Sequence, residues 1–254
     1  MTDPILETEN LTKRFGELTA VDSVDLAIGA GEFRSVIGPN GAGKTTTFNL
    51  ITGAMAPTEG VVRFAGEDVT PLPPHERVRR GIGRSFQITN VFGGLSVREN
   101  VRLAAQSVFD AGFSVREALF RNAGTFDDVN AQTDEVLDRV GLADRADEYA
   151  DTLAYGERRR LEIGLVLATD PELVLLDEPT AGMSADETQA TMDLIEEVLS
   201  DRTLLLIEHD IDLVMRVSDR ITVLARGAIL AEGTPGEIAN DPDVQEAYLG
   251  GVRA

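Results

Sequence analysis

The sequence of 254 residues contains no cysteine, and only two of its 23 basic residues are lysines. Without cysteine, the chain can form neither disulfides nor thiolate metal sites. No apolar run approaches the ~20 residues that a membrane-spanning helix needs, and the N-terminus lacks the basic region and long apolar run of a signal peptide. We therefore expect a cytoplasmic protein whose role at a membrane, if it has one, comes through a partner.

Positive charge is scarce as well, since the formal net charge is −21 and the pI is about 4.4. This balance argues against nucleic-acid binding, which relies on a basic surface. Strong acidity with almost no lysine indicates adaptation to a salty cytoplasm, where dissolved ions screen the self-repulsion of the folded chain. The alternative is an ordinary acidic bacterial protein.

Apolar residues make up 43% of the sequence, enough for one large domain with a core. Their pattern predicts strands at residues 5–12, 24–28, 33–37, 61–64, 82–86, 173–176, 203–207 and 221–224. A polar, helical pattern fills residues 96–141, with segments at 97–108, 115–121 and 129–140. After residue 161, short apolar strands alternate with helices, as in a parallel sheet buried on both faces. The pattern therefore predicts an α/β fold with an inserted helical subdomain.

The most informative motif is a phosphate-binding loop, G-x-x-x-x-G-K-[ST], which lies between the strand at 33–37 and a predicted helix. Its residues are Gly38, Pro39, Asn40, Gly41, Ala42, Gly43, Lys44, Thr45 and Thr46. The glycines allow a tight turn that points backbone N–H groups at phosphate oxygens, and the helix places the positive end of its dipole beneath them. We expect Lys44 to contact the β- and γ-phosphates and Thr45 to bind Mg²⁺. The motif predicts nucleotide binding.

Two acidic residues follow the apolar run at 173–176. Asp177, at the tip of this predicted strand, can hold Mg²⁺ through water. Glu178 can polarise a water molecule for attack on the γ-phosphate. Downstream of a phosphate-binding loop, this pair predicts nucleotide hydrolysis rather than an ordinary solvated strand end.

With both motifs in place, the chain resembles the nucleotide-binding subunits of ATP-binding cassette transporters over nearly its full length. Gln87, in Gly83-Arg84-Ser85-Phe86-Gln87, matches the family's glutamine loop; the resemblance implies that it touches Mg²⁺ and the attacking water, and that its loop faces the membrane partner. His209 matches the switch histidine that contacts the γ-phosphate. The other histidine, His75, lies in a polar helix start and is expected to be only solvated.

Leu153-Ala154-Tyr155-Gly156-Glu157 resembles the family's signature Leu-Ser-Gly-Gly-Gln, which implies that it completes the ATP site of the opposite subunit at the start of a helix at 158–168. Three of the five positions differ, and Ala154 lacks the usual hydroxyl, so the ATP affinity of this half-site is open. Phe15 matches the aromatic residue that stacks on adenine, with a core phenylalanine as the alternative. The segment Ala181-Gly182-Met183-Ser184 occupies the place of the family's D-loop.

Three stretches resemble the larger ATPase subunit of branched-chain amino acid importers: residues 81–87, 153–164 and the tail 241–250. The tail also fits a simple capping helix. ATPases of urea or amide importers are the alternative, and lipopolysaccharide-export ATPases come third. A non-transport cassette of DNA repair or translation is disfavoured by length and charge. A silent regulatory cassette is disfavoured because Glu178 and His209 are both present.

The resemblance implies a single nucleotide-binding domain over residues 1–254, with a core at about 1–90 and 160–254 that includes an antiparallel β-portion, and a helical subdomain at about 90–160. It implies that two cassettes, identical or related, bind ATP and Mg²⁺ between them and drive membrane permease subunits, with a solute-binding protein as an indirect partner. The expected location is the cytoplasmic face of the membrane, as a peripheral subunit. Substrate choice lies in the partners.

Overall fold

A computed structural model of the chain describes residues 3–84, 91–109 and 123–249. Its strands are β1 (Leu6–Phe15), β2 (Leu18–Val24), β3 (Ala27–Ile28), β4 (Phe33–Ile37), β5 (Glu59–Phe64), β6 (Glu67–Asp68), β7 (Ile82–Arg84), β8 (Leu173–Asp177), β9 (Thr203–Ile207), β10 (Arg220–Ala225) and β11 (Ala228–Gly233). Its helices are α1 (Lys44–Ile51), α2 (Pro74–Arg79), α3 (Val97–Phe109), α4 (Ala123–Arg139), α5 (Tyr155–Leu167), α6 (Ala185–Val198), α7 (Ile211–Val217), α8 (Pro235–Ala239) and α9 (Pro242–Leu249). Across these residues, every helix is too short or too polar to span a bilayer.

The described chain divides into two compact units. The first takes the residues up to Arg77, Leu173–Pro179 and the chain from Asp201 onward. The second takes the described parts of Val78–Glu172 and Thr180–Ser200. The single-cassette organisation and the subdomain boundaries at about 90 and 160 stay predictions.

The first unit is built on a sheet in which the strands follow the order β11-β10-β4-β9-β8. The pairs β10–β4, β4–β9 and β8–β9 are parallel, whereas β10–β11 is antiparallel. Every residue of β8 and β9 is buried, which is the pattern of parallel strands covered on both faces. The continuous apolar runs predicted these strands correctly. β4 leads into the phosphate-binding loop, and β8 ends in the acidic pair. Because these strands are parallel, the sheet brings both motifs to the edge formed by the carboxyl ends of its strands.

The same unit contains the antiparallel sheet expected near the N-terminus, in the order β2-β1-β5-β6 with β3 paired to β1. The strand predicted at residues 24–28 is interrupted: Val24 ends β2, Ala27–Ile28 form the two-residue β3, and most of β2 lies earlier along the chain. Only Val21 and Val24 of β2 are buried, so the alternation that marks a half-buried strand is almost missing from its sequence. Pairing with β1 across a short turn, rather than a pattern of its own, makes this segment a strand.

In the second unit, α3 packs against α4 and α5, and α5 packs against α6. The predicted helices at 97–108 and 129–140 are confirmed as α3 and α4, although α4 begins six residues earlier, at Ala123. The helix that was expected to start at Arg158 starts at Tyr155. The predicted helix at 115–121 lies outside the described residues.

A buried arginine fixes the C-terminal end of α1, the helix that follows the phosphate-binding loop. Arg77 is 1% exposed, and its guanidinium donates to the carbonyl oxygens of Leu50 and Ile51 at 2.7 and 2.6 Å. It also donates to the carbonyls of Thr70 and Leu72. Burial lowers the pKa of Arg77 to about 10, so the group remains a cation at neutral pH. A positive charge is favourable at this end of a helix, where the last carbonyls lack intrahelical partners.

Candidate active site

The phosphate-binding loop connects the buried strand β4 to α1, as predicted. Gly38 and Gly43 have φ angles of +152° and +101°, a region that side-chain-bearing residues avoid. A Cβ atom at Gly38 would lie 2.1 Å from the Leu224 carbonyl oxygen, and one at Gly43 would lie 2.4 Å from the Ala20 carbonyl oxygen. Both positions therefore require glycine. The loop backbone packs closely against β10 and β2. It lies at the N-terminal end of α1, where it can approach a bound phosphate group.

Lys44 begins α1 and folds back over the loop. It is 6% exposed, and its Nζ donates to the carbonyl oxygens of Gly38 at 2.7 Å and Pro39 at 3.3 Å. Burial lowers the pKa of Lys44 below its ordinary value, and the negative charges of Glu178 and Asp177 oppose part of that shift. Burial deprives the Lys44 ammonium of solvent. An anionic ligand is therefore favoured at this point, because phosphate oxygens would stabilise the positive charge in place of water.

The acidic pair stands where β8 ends. Asp177, the last residue of β8, is 3% exposed. Glu178 has a φ of +49°, and its backbone N–H donates to the carbonyl of Ile207 in β9 at 2.9 Å. A positive φ is rare for a residue with a side chain and is found where surrounding structure enforces it. The hydrogen bond to β9 therefore fixes the Glu178 backbone in this conformation.

Glu178 is joined to His209, which follows β9. His209 Nε2 lies 2.8 Å from Glu178 Oε1. The His209 side chain is 48% exposed and the Glu178 side chain 22%, so both can reach solvent or a ligand. Since β8 and β9 are adjacent parallel strands, their carboxyl ends bring these residues together from positions 31 apart. The structure therefore places Lys44, Asp177, Glu178 and His209 in one neighbourhood, as the sequence predicted.

The residues present fit a nucleotide with its metal ion. The exposed hydroxyl-bearing Thr45 lies in the first turn of α1, and Asp177 closes β8. Among residues 3–84, 91–109 and 123–249, no group of three or more His, Asp or Glu side chains forms a metal cage. This donor set suits Mg²⁺, which keeps several waters and takes further oxygens from substrate phosphates instead of a full protein cage.

Phe15 lies at the end of β1, and its 47% exposure excludes the core alternative. It pairs with Leu18 of β2, the strand whose Ala20 carbonyl closely approaches Gly43. The same hairpin therefore carries Phe15 and abuts the phosphate-binding loop. An exposed aromatic ring beside a phosphate site suits stacking on a base.

The signature segment belongs to the second unit, where Ala154 is the N-cap residue of α5. Tyr155 is 60% exposed. The Glu157 side chain accepts a hydrogen bond from the Ala154 N–H at 3.0 Å, and Arg145 Nε lies 3.4 Å from its other oxygen. Tyr155, Gly156 and Glu157 form the first turn of α5 and do not precede it as predicted. Their role in an ATP site stays a prediction.

Two further residues, Gln87 and Lys13, remain to be placed relative to the site. Gln87 lies outside the described residues, so its predicted contact with Mg²⁺ and water stays a prediction. Lys13 was overlooked, although it is one of only two lysines in the chain. Its Nζ lies 5.3 Å from the centroid of the Phe15 ring. The rarity of lysine is the signal that could have singled it out.

The family models agree with these motifs. The model described as "ABC transporter" matches residues 21–181. A second, described as "Branched-chain amino acid ATP-binding cassette transporter", matches residues 228–254. The second match covers the tail that suggested the importer branch.

The chain is 42% identical to the high-affinity branched-chain amino acid transport ATP-binding protein BraF of Pseudomonas aeruginosa, over 98% of this chain and 99% of that protein. It is 44% identical to LivG of Salmonella typhimurium, with the same coverage and a description of the same kind. Among solved structures, an ATP-binding cassette of an ABC transporter in its ADP conformation is 33% identical, with a TM-score of 0.82, covering 98% of this chain and all of that one. The chain therefore belongs to the ATP-binding cassettes of the ABC transporter family, in the branch of the branched-chain amino acid transport ATP-binding proteins.

Proposed function

We propose that this chain hydrolyses ATP, with Mg²⁺, to drive the uptake of branched-chain amino acids through a membrane permease. The observation that carries the proposal is the pairing of Glu178 with His209 in the neighbourhood of Lys44, within a chain similar over its full length to transport ATP-binding proteins.

Each site residue has a proposed role. Lys44 binds the β- and γ-phosphates, and the loop amides and the α1 dipole bind the remaining phosphate charge. Glu178 accepts a proton from the attacking water, while His209 holds the Glu178 carboxylate and reaches the γ-phosphate. Thr45, Asp177 and Gln87 would hold Mg²⁺, which would supply positive charge against the phosphates during hydrolysis.

Two cassettes act together in this proposal. Each subunit's phosphate-binding loop faces the other's signature helix, and closing and reopening of the pair drives the permease. The importer branch favours a related, non-identical second chain. Ala154 offers no hydroxyl to a phosphate, and the Glu157 carboxylate already accepts from the backbone N–H of Ala154, so this chain's signature contributes less to the ATP bound by the opposite subunit than the usual sequence would.

The substrate is proposed from the branch. Similarity over the full chain and the separate match of residues 228–254 support branched-chain amino acids over urea or amides. A solute-binding protein would deliver the amino acid to the permease, and this subunit would bind the permease at the cytoplasmic face of the membrane. Nucleic-acid binding is not proposed for a chain with a net charge of −21.

The predicted permease contact is the segment of residues 86–95, with a small hydrophobic core beneath a loop as the alternative; Phe92 in this segment is 61% exposed, which argues against the core. The Phe92 backbone is fixed at both ends by Asn100 of α3, whose Oδ1 accepts from the Phe92 N–H at 2.8 Å and whose Nδ2 donates to its carbonyl at 3.0 Å. An exposed phenylalanine on a fixed backbone suits a docking site for a permease helix. The neighbouring residues 86–90 of the predicted contact lie outside the described residues.

The double substitution Val91→Asp with Phe92→Ser tests this proposal in the reconstituted transporter. Because Phe92 is exposed, the isolated subunit should stay folded and bind ATP as before. Co-purification with the permease and ATP-driven amino acid uptake should both fall by more than ~10-fold, as expected for loss of an aromatic hot spot. Leu230→Ser, at an exposed leucine of the first unit, is the matched control. Intact assembly and transport together with a destabilised subunit would show that these residues belong to a core instead.

The predicted salt adaptation has its own test. With a net charge of −21, the thermal midpoint should rise by several degrees as KCl increases from low to molar concentration, since screening relieves self-repulsion. The measurement is circular dichroism at increasing KCl, with a neutral osmolyte of equal osmolality as the control. A flat or falling midpoint would leave the chain an ordinary acidic protein.

A further inference from the structure

Lys13 contacts both the Phe15 ring and the segment that follows α1. Its Nζ lies 5.3 Å from the ring centroid and donates to the carbonyl oxygen of Ala56 at 2.7 Å. Ala56 lies in the segment just after α1. A second hydrogen bond joins this segment to β1, because the Thr58 N–H donates to the Thr12 carbonyl at 2.8 Å. Lys13 is thus hydrogen-bonded to the segment that follows the phosphate-binding helix.

The position of the ammonium restricts the ring. A cation within about 6 Å of a ring centroid is attracted by the electrons of the ring face. Phe15 is the last residue of β1 and is 47% exposed, so few packing neighbours fix its side chain. Lys13 is one of two lysines among 23 basic residues, and the other is Lys44. Both donate Nζ to backbone carbonyls of the first unit.

We propose that Lys13 is a positioning residue for the nucleotide base: it holds the Phe15 ring in place and fixes it relative to the end of α1. This inference rests on the proposed function, in which Phe15 stacks on adenine. The ring surface away from the ammonium is then left for the base. Lys13 does not contact the phosphates in this proposal. It should therefore strengthen the binding only of ligands that carry a base.

The test is calorimetric titration of the full chain with ATP, ADP and inorganic tripolyphosphate, the last being a probe without a base. Lys13→Met should weaken the binding of ATP and ADP by about five-fold, the size of one exposed cation–π contact with its hydrogen bond. Tripolyphosphate should bind as tightly as before. Arg14→Met is the matched control, because it removes the neighbouring cation, whose partner is Glu59.

A double-mutant cycle separates positioning from a general effect. In a Phe15→Ala background, Lys13→Met should cause no further loss of ATP affinity. The inference is overturned if Lys13→Met equals Arg14→Met, if it weakens tripolyphosphate equally, or if its effect persists without the ring. It is also overturned if Phe15→Ala leaves ATP affinity unchanged. Failure of the wild-type chain to bind ATP at all would instead refute the proposed function.

Discussion

Replacing Lys44 by alanine should abolish ATP hydrolysis, with a loss in kcat of at least ~10²-fold, the scale of removing one preorganised charge from a transition state. ATP binding should weaken as well, because the Lys44 ammonium is the buried cation beside the loop. The alanine variant should stay folded, since Lys44 donates only to the carbonyls of Gly38 and Pro39, which water can satisfy once the side chain is gone. Steady-state phosphate release and ATP titration measure both effects.

Lys44→Met keeps most of the side-chain volume without the charge and should behave like Lys44→Ala. If the methionine variant kept its activity while the alanine variant lost it, packing rather than charge would explain the result. Unchanged turnover in a folded Lys44→Ala protein would refute the assignment of this loop as the phosphate site. Circular dichroism of each variant supplies the fold control.

Glu178→Gln should stop turnover and leave ATP affinity nearly unchanged, because glutamine keeps the shape and a hydrogen bond to His209 but cannot accept a proton from water. The loss in kcat should reach at least ~10²-fold, within the range of a removed general base. Unhydrolysed ATP should then hold two cassettes together, so a dimer should elute from a sizing column with ATP and not with ADP. The second subunit must be included if the natural pair consists of two different chains.

The control for this variant is Glu172→Gln, which neutralises an exposed carboxylate just before β8, at the opposite end of the strand. It should turn over ATP at the wild-type rate. A Glu178→Gln enzyme with wild-type turnover would assign proton removal to another group, and His209 would be the first candidate because it lies 2.8 Å from the same carboxylate.

The parallel sheet and its active edge were predictable because their signals are local and strong. Strands β8 and β9 are continuous apolar runs, and the phosphate-binding loop has glycines that its φ angles require. The contact between Glu178 and His209 follows from the order of adjacent parallel strands and could be anticipated once both were recognised. The branch of the family was likewise predicted from short stretches, and the match at residues 228–254 confirmed it.

Other features could not be predicted because they arise from tertiary contacts. β2 has only Val21 and Val24 buried and becomes a strand by pairing with β1. The start of α5 at Tyr155 was missed for a different, local reason: the Ala154 N–H donates to Glu157 three residues on, and no conventional Ser or Asp cap marks the helix start in the sequence. The place of Lys13 over Phe15 depends on the Ala56 carbonyl, 43 residues away in the sequence.

Arg77, which binds the C-terminal carbonyls of α1, lies close to Gly53, 24 residues earlier in the sequence. A Cβ atom at Gly53 would lie 2.8 Å from Arg77 Nε and 2.9 Å from the Leu72 carbonyl oxygen. Arg77 itself satisfies four carbonyls that no single shorter side chain could reach. In the evolution of such chains, neither position can change alone without either a clash or several unsatisfied carbonyls. Gly53 also has a φ of +75°, so it should stay glycine even where residue 77 changes, and a lineage that loses this arginine must rebuild the turn after α1.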